Sequence, residues 1–387
     1  MIYIFSVLFC VVLAVIYDIR DAQQNKQLWY NLLLLWFILI SGLQYCVGTD
    51  IFEYIRFYQD FNASTFRLRD LDYYMSNQKQ PGWIILTYLC KLITNDFIIV
   101  KLIQAIFINV ALFSFFKRET KYIFLCVLVY ALISYFALNF NVYRHSFALG
   151  FALYGFSYLR QKRYINYYLF VALAWLFHNS AIILIIFPLF NFLKYNRWTL
   201  IVLGILFIMI LPSLNSDKLQ EMLFSIIDNG FLGENLTTLG DTYMKSERQG
   251  VQDSFSVFTL RRLLVLMVVC YYVKNKKDLF MGSFGVLYLL FVVLSGFMQA
   301  LWRFRLYIDP FYYILLATVI AEFPRKRFKQ KVIVYMIVFW LLLYLPIREY
   351  LAPYVGTKWR PIDQYYPYHS IFDPEINYEQ KAFFENL

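Results

Sequence analysis

A carboxylate and a tyrosine four residues apart form the first group in this sequence that could do chemistry. Asp50 ends the segment Val47-Gly48-Thr49-Asp50, which follows a long apolar run, and Tyr54 comes after it. Gly48 permits a tight exit from the preceding helix, and residues four apart share one face of the next. At a membrane surface, partial desolvation raises the pKa of a carboxylate toward that of a useful base. The alternative interpretation is that Asp50 caps the N-terminus of a short helix.

An arginine and a histidine lie at two further boundaries between apolar and polar segments. Arg144 stands between Tyr143 and His145, and His178 ends another apolar run. A guanidinium group can bind phosphate or carboxylate through two parallel hydrogen bonds, so Arg144 is a candidate phosphate ligand. The alternatives are that the arginine side chain extends to the membrane interface and that His178 is a structural hydrogen-bonding residue.

A second arginine group lies in the segment Trp302-Arg303-Phe304-Arg305-Leu306-Tyr307. Arg303 and Tyr307 are four residues apart and can face the same way on a helix. Two arginines flanking one aromatic residue favour an anion site. The alternative is a pair of arginines that only extend to the membrane interface.

Together these residues predict attack by a neutral hydroxyl group beside a diphosphate leaving group. Asp50 would take the hydroxyl proton, and the arginines would stabilise the negative charge that grows on the leaving phosphate. Tyrosine offers a flat apolar face and a hydroxyl group, which suits the two kinds of surface of a sugar. An interfacial belt of aromatic residues is the alternative explanation for this composition. The aromatic residues concerned are Tyr54, Phe57, Tyr58, Phe61, Tyr73, Tyr74, Tyr365, Tyr366 and Tyr368.

The composition indicates which elements must position these residues. Of 387 residues, 61% are hydrophobic and 16% are charged, whereas soluble domains are near half apolar and about a quarter charged. A soluble or disordered protein is therefore excluded, and an all-α polytopic membrane protein is predicted, with 1–387 forming a single integral membrane domain. The net charge of +11 is divided among short loops between apolar segments, which is typical of cytoplasmic loops and argues against nucleic-acid binding. Cysteine and histidine spacing indicates no metal site, and no cofactor is predicted.

About twelve transmembrane helices are predicted, with both termini outside. The segment 83–93 is too short to cross a bilayer comfortably and carries Lys91, so we expect an interfacial helix there. This topology places the polar loops 46–82 and 212–254 and the tail 348–387 on the external side. The predicted spans are 2–17, 28–45, 97–116, 122–140, 146–159, 164–178, 179–193, 198–211, 256–273, 279–298, 306–322 and 332–347.

These groups, in this order, resemble the EpsG branch of the Wzy polysaccharide polymerases. At three positions the chain departs from the family pattern, and the resemblance assigns no role there. Gln44 stands where an arginine is frequent, Gln80 where glutamate is usual, and His145 where glutamine is usual. The motifs that carry the resemblance are Val47-Gly48-Thr49-Asp50 with Tyr54, Gln80-Pro81-Gly82-Trp83, Arg144-His145 with Ala148, Ala174-Trp175-Leu176-Phe177-His178-Asn179-Ser180-Ala181, Arg303 with Tyr307, and Tyr366-Pro367-Tyr368.

The resemblance implies polymerisation of lipid-linked oligosaccharide repeat units of O-antigen, capsule or exopolysaccharide. The growing glycan would pass from undecaprenyl diphosphate to the non-reducing end of another lipid-linked unit, on the periplasmic face of the bacterial inner membrane. It also implies a fold similar to the GT-C membrane glycosyltransferases. Besides lipid-linked donor and acceptor, the expected partners are membrane lipid and a chain-length regulator protein. The residues expected at the site are Asp50 and His178 as catalytic residues and Arg144, Arg303, Arg305, Tyr54, Tyr143 and Tyr307 as substrate-binding residues.

Three other functions remain open from the sequence. A lipid-linked oligosaccharide flippase would place its charged residues deep in a central cavity, whereas here they collect at one face. An O-antigen ligase uses the same donor as the polymerase and differs in its acceptor. A membrane acyltransferase would place its histidine deep in a tunnel with polar partners, and the surface hairpin predicted at His178 argues against it.

Overall fold

The computed structural model describes residues 2–76, 79–193, 196–210, 255–276, 278–295, 301–322, 350–351, 353, 357–376 and 378–385. Within these residues the chain is helical, and its β pairing consists of isolated bridges from Ser370 to Gln44 and to Asp373. The α-helices are α1 (Ile2–Ala14), α2 (Lys26–Gly42), α3 (Ile51–Asp60), α4 (Leu71–Ser76), α5 (Pro81–Lys91), α6 (Ile98–Glu119), α7 (Ile123–Ile133), α8 (Tyr143–Arg160), α9 (Tyr164–Trp175), α10 (Leu189–Phe192), α11 (Arg197–Ile210), α12 (Phe255–Asn275), α13 (Leu279–Leu294), α14 (Trp302–Leu306), α15 (Asp309–Glu322) and α16 (Tyr378–Glu385). The shorter helical segments are π-helical Val15–Ile19 and Ala137–Asn141 and 3₁₀-helical Leu68–Asp70, Asn179–Ile186 and Pro361–Gln364.

The helices cluster in two compact units. The first comprises Met1–Pro188 and Ile320–Leu387, and the second Leu189–Val319. In the first unit α2 and α8 pack against α6, α9 packs against α8, and α1 packs against α7. In the second unit α11, α12 and α13 pack against one another, and α14 packs against α13.

A buried polar ring ties α6 to α7 and to the π-helical segment that leads toward Arg144. Asn109 donates to the Asn139 side chain at 2.8 Å, Asn139 donates to the Tyr130 hydroxyl at 2.6 Å, and that hydroxyl donates to Asn109 at 3.2 Å. All three side chains are fully buried. Because a buried polar group without a hydrogen-bond partner is costly, these side chains satisfy one another, which fixes the relative positions of the segments.

The all-α architecture is confirmed over the described residues. Two of the helical segments described there, Ile2–Ile19 and Ile98–Glu119, are long and apolar enough to cross a membrane by themselves. Others are apolar but shorter: Ile123–Ile133, Tyr164–Trp175, Asn179–Phe192, Arg197–Met209 and Leu279–Leu294. The number of twelve spans and the GT-C-like arrangement stay predictions. The predicted span 332–347 and the whole loop 212–254 lie outside the described residues.

The predicted spans 179–193 and 122–140 are not single α-helices. The stretch 179–193 is a 3₁₀-helix over Asn179–Ile186 followed, after Pro188, by the short helix α10. Pro188 lacks the backbone N–H that would continue the helical hydrogen bonding, so the helix breaks there. The stretch 122–140 is interrupted after α7 and continues as the π-helical Ala137–Asn141.

The predicted external loop 46–82 contains helices α3 and α4. It leads into α5, whose eleven residues correspond to a length of about 16 Å. The hydrocarbon core of a bilayer is about 30 Å thick, so α5 cannot cross it alone. Its interfacial location stays a prediction.

Candidate functional site

Asp50 is positioned by a loop that gains its hydrogen bonds from distant segments. The Gly48 N–H donates to the Gln364 carbonyl at 2.9 Å, and the Thr49 N–H donates to Asn141 Oδ1 at 3.0 Å. Gly48 has φ = +99°, in the left-handed region that glycine tolerates. The turn at Gly48 predicted from the sequence is therefore present, and it delivers Asp50 to the first turn of α3.

The Asp50 side chain does not cap α3. Asp50 is the N-cap residue by position, but its backbone is helical and its carboxylate makes no capping hydrogen bond. Instead the Thr49 hydroxyl donates to Asp50 Oδ1 at 3.3 Å, and the carboxylate lies within electrostatic range of the Arg144 guanidinium. The capping alternative therefore does not account for this side chain.

Tyr54 shares the site with Asp50, as their spacing predicts. Its buried ring stacks on Tyr143, with centroids 5.2 Å apart and planes 8° from parallel, and also contacts Trp83. Burial raises the pKa of Tyr54 to about 12, against the opposing effect of the nearby Arg144 charge. Tyr54 is therefore a neutral phenol at physiological pH.

Arg144 joins α3, α5 and α8. It hydrogen bonds to Tyr54, and its Nη1 donates to Gln80 Oε1 at 2.7 Å. Gln80 is the N-cap residue of α5, whose first residue is proline. A guanidinium group held on two sides in this way is preorganised to meet an anion.

Tyr143 forms the support beneath Tyr54. It is fully buried, and its hydroxyl accepts from Gln44 Nε2 at 2.8 Å. Gln44 Oε1 in turn accepts the Val47 N–H at 2.8 Å, and Lys101 donates to the Gln44 carbonyl. Tyr143 thus connects the aromatic stack to the loop that carries Asp50, and its direct contact with substrate stays a prediction.

The histidine hairpin lies beside the N-terminus of α5. The Gly82 N–H donates to the Leu176 carbonyl at 2.7 Å, and a Cβ at Gly82 would come equally close to that oxygen. Just beyond, His178 is the N-cap residue of the 3₁₀-helix Asn179–Ile186. Its ring contacts that of His145, with centroids 5.0 Å apart.

Glu53, three residues after Asp50, is a second carboxylate near Arg144. Glu53 forms an ion pair with Lys79 and lies within range of the Arg144 and Arg56 charges. Partial burial raises the pKa of Glu53, but these positive charges outweigh it and hold the pKa below its usual value of 4.5. Glu53 is therefore ionised at neutral pH.

The predicted arginine group, which comprises Arg303, Arg305 and Tyr307, lies in the second unit. Arg305 Nε lies 3.3 Å from Asp309 Oδ1 and forms an ion pair one helical turn away. Arg303 and Arg305 both belong to the short helix α14. Tyr307, the C-cap residue of that helix, is fully buried. The participation of Arg303, Arg305 and Tyr307 in the site of the first unit stays a prediction.

The sequence pattern of the EpsG family matches residues 27–370, most of the chain. The chain belongs to the EpsG family. This confirms the resemblance carried by the motifs, and it makes the chain a membrane protein with a polysaccharide polymerase-like role. Among curated proteins and solved structures, none matches this chain.

Three polar residues that contact the EpsG site were given no role by the family resemblance. Gln80 binds Arg144, His145 contacts the His178 ring, and Gln44 holds the Tyr143 hydroxyl. All three are positions where the chain departs from the family pattern, and their polar side chains fulfil hydrogen-bonding roles that other polar residues could also fulfil. Within the described residues, no group of three His, Cys, Asp or Glu side chains could hold a metal ion.

Proposed function

We propose that this EpsG chain polymerises lipid-linked oligosaccharide repeat units of O-antigen, capsule or exopolysaccharide. The donor would be the growing glycan on undecaprenyl diphosphate, and the acceptor the non-reducing sugar of another lipid-linked unit, on the periplasmic face of the bacterial inner membrane. The observation that supports this proposal most directly is the grouping of Asp50, Tyr54, Arg144 and His178 around the N-termini of α3, α5 and α8.

The proposed reaction is a displacement at the sugar carbon that carries the diphosphate. An acceptor hydroxyl oxygen bonds to that carbon while the bond from the carbon to the phosphate oxygen breaks. The hydroxyl proton passes to Asp50, and the electron pair of the broken bond stays on undecaprenyl diphosphate. Positive charge positioned at the leaving oxygen stabilises this transition state more than the ground state, which is the role of Arg144 and the predicted role of Arg303 and Arg305.

Tyr54 has the properties of a sugar-binding residue. Held in a rigid aromatic stack, this neutral phenol could bond to a sugar through its hydroxyl group at small entropic cost. The hydrogen bond between Tyr54 and Arg144 supports this proposal, because it would bring sugar binding and phosphate binding next to each other. Membrane lipid surrounds the protein, and a chain-length regulator protein is a further proposed partner.

The proposal is tested by the banding of surface polysaccharide from a host lacking this gene. Glycolipid capped with a single repeat unit is the expected product, because donor synthesis, flipping and ligation continue while lengthening stops. The unaltered chain should restore the ladder of longer products. An Asp50→Asn chain should not, since general bases contribute about 100-fold or more to rate. Asp60→Asn is the matched control because Asp60 lies on the same helix, α3, and is exposed.

Other outcomes would overturn the proposal. If no repeat unit reaches the surface glycolipid, lengthening is not the missing step. Lipid-linked repeats trapped on the cytoplasmic side would then identify a flippase, and repeats accumulated on the external side a ligase. A normal ladder from Asp50→Asn would remove Asp50 from the mechanism.

A further inference from the structure

Ser180 lies between the two histidine rings of the site. Its Oγ is 2.6 Å from His178 Nδ1 and 3.3 Å from His145 Nδ1. The backbone N–H of Ser180 also donates to His178 Nδ1, at 3.1 Å. His145 is buried, whereas His178 is partly exposed.

The backbone contact fixes the tautomer of His178. A peptide N–H can only donate, so His178 Nδ1 must carry a lone pair and no proton. In the neutral ring the proton is then on Nε2. His178 consequently presents an N–H donor at Nε2 and has no basic nitrogen there.

The direction of the remaining hydrogen bonds follows from the same constraint. Because His178 Nδ1 has no proton, the hydroxyl of Ser180 must be the donor in the 2.6 Å contact. The Ser180 oxygen can then only accept from its other neighbour, so His145 carries its proton on Nδ1. The chain of donors runs from His145 through Ser180 to His178.

We propose that this chain sets His178 as a hydrogen-bond donor, through Nε2, to an oxygen of the leaving diphosphate. Ser180 and His145 are positioning residues that hold the ring and its tautomer. The inference rests on the proposed function and deepens it. A ring that donates at Nε2 cannot accept the acceptor sugar's proton there, which leaves that role to Asp50. The guanidinium of Arg144, the residue before His145, supplies positive charge to the same anion.

The tautomers can be measured without any assay of activity. The chain contains three histidines, so nitrogen-15 labelling of histidine in the full chain in lipid nanodiscs gives few signals. Each signal is assigned by comparison with the chains His145→Gln, His178→Gln and His369→Gln, because each variant lacks the signals of one histidine. We expect a protonated Nε2 and a bare Nδ1 for His178, and a protonated Nδ1 for His145. A proton on His178 Nδ1 would overturn the inference.

Substitution separates a donor from a proton carrier. Glutamine keeps an N–H donor on a side chain that reaches as far as Nε2, so His178→Gln should retain more than about 10% of the lengthening rate. His178→Ala should lose about 100-fold, the usual effect of deleting one transition-state donor. If glutamine is as inactive as alanine, His178 transfers a proton and the inference fails. His369→Gln, the same change in the C-terminal tail, is the control. His369 bonds to the Tyr45 N–H through its backbone carbonyl, which the substitution keeps, so the rate should be unchanged.

The positioning residues have their own conservative test. His145→Gln retains a donor for Ser180 and should lengthen glycans at nearly the normal rate, whereas His145→Met and Ser180→Ala should each lose up to about 10-fold. Equal rates for His145→Gln and His145→Met would refute the donor chain. If the unaltered chain does not lengthen glycans at all, the proposed function itself fails, whatever tautomers the spectrum shows.

Discussion

Replacement of Gly48 by alanine tests whether the geometry of one turn controls the position of Asp50. At φ = +99° an L-residue is strained, whatever the space around it. The new Cβ would also lie 2.4 Å from Asn141 Oδ1 and 2.5 Å from the Phe140 carbonyl oxygen. The Phe140 carbonyl belongs to the backbone, and Asn141 Oδ1, although it ends a side chain, is held in place as the acceptor of the Thr49 N–H.

The expected loss of unfolding free energy follows from these two effects, the backbone strain and the steric clash. A left-handed conformation costs a non-glycine residue about 1–2 kcal/mol, and an added methyl group in a tightly packed place costs about 1–3 kcal/mol. The protein can accept a loss of about 2–5 kcal/mol in unfolding free energy, or it can shift the loop. A shift of about 1 Å at the base would reduce the rate by about 100-fold. Both responses predict a loss of long glycan chains.

The assay is the surface polysaccharide ladder of a deletion host that carries Gly48→Ala, together with thermal unfolding of the purified chain. Gly204→Ala is the control, since Gly204 lies within helix α11 and an added Cβ would meet the flexible side-chain ends of Leu266 and Leu289 and no backbone atom of a neighbouring segment. We expect the ladder to shorten to single repeats for Gly48→Ala and to remain for Gly204→Ala. A full ladder with an unchanged melting temperature would refute the reasoning.

Three further substitutions test other contacts of the site and of the core. Asn141→Leu removes the acceptor of the Thr49 N–H and should lower the lengthening rate on the order of 10-fold, and a normal ladder would contradict this. Asn139→Leu leaves a buried Asn109 donor unsatisfied and should cost about 1–3 kcal/mol of stability, so an unchanged melting temperature would be inconsistent with the polar ring. Because the pKa of Glu53 is lowered, its stabilising pair with Lys79 is complete above pH 4.5 and is lost as pH falls through the lowered value. Since the partly buried Glu53 side chain is still 58% exposed, the effect on unfolding should be below about 1 kcal/mol, and Glu53→Gln should abolish this part of the pH dependence.

Helices could be predicted from the sequence where long apolar runs leave a single physical choice. The run predicted as 97–116 is α6, Ile98–Glu119, because a continuous apolar segment in hydrocarbon must satisfy its backbone within one helix. The 3₁₀-helical stretch 179–186 was harder to foresee. Its composition is equally apolar, and it differs from an α-helix through the hydrogen bonds of the His178–Ser180 cap and the nearby Pro188.

The members of the candidate site could be found more readily than their partners. Asp50, Arg144 and His178 stand out because charged or polar residues at the membrane boundary are expensive. The contact of Arg144 with Gln80 joins positions 64 residues apart, and that of His145 with Ser180 joins positions 35 apart. No local sequence pattern encodes such pairs. A glycine at position 82 is compatible with close packing, and in the structure it allows the close backbone approach between α5 and the histidine hairpin.

The loop before α3 and the C-terminal tail, which the sequence presents as separate external regions, are joined by hydrogen bonds close to Asp50. The loop before α3 has few hydrogen bonds of its own, so its backbone groups bond to the tail and to the segment after α7. The Gly48 N–H donates to the Gln364 carbonyl, and the Ile371 N–H donates to the Leu43 carbonyl. Asn141 receives the Thr49 N–H and donates to the Tyr365 hydroxyl at 2.7 Å. A general base must be held within a fraction of an ångström of its productive position, and here that precision depends on residues more than 200 positions apart in the chain. The C-terminal tail is therefore a structural part of the site, even though none of its own residues is assigned a chemical step.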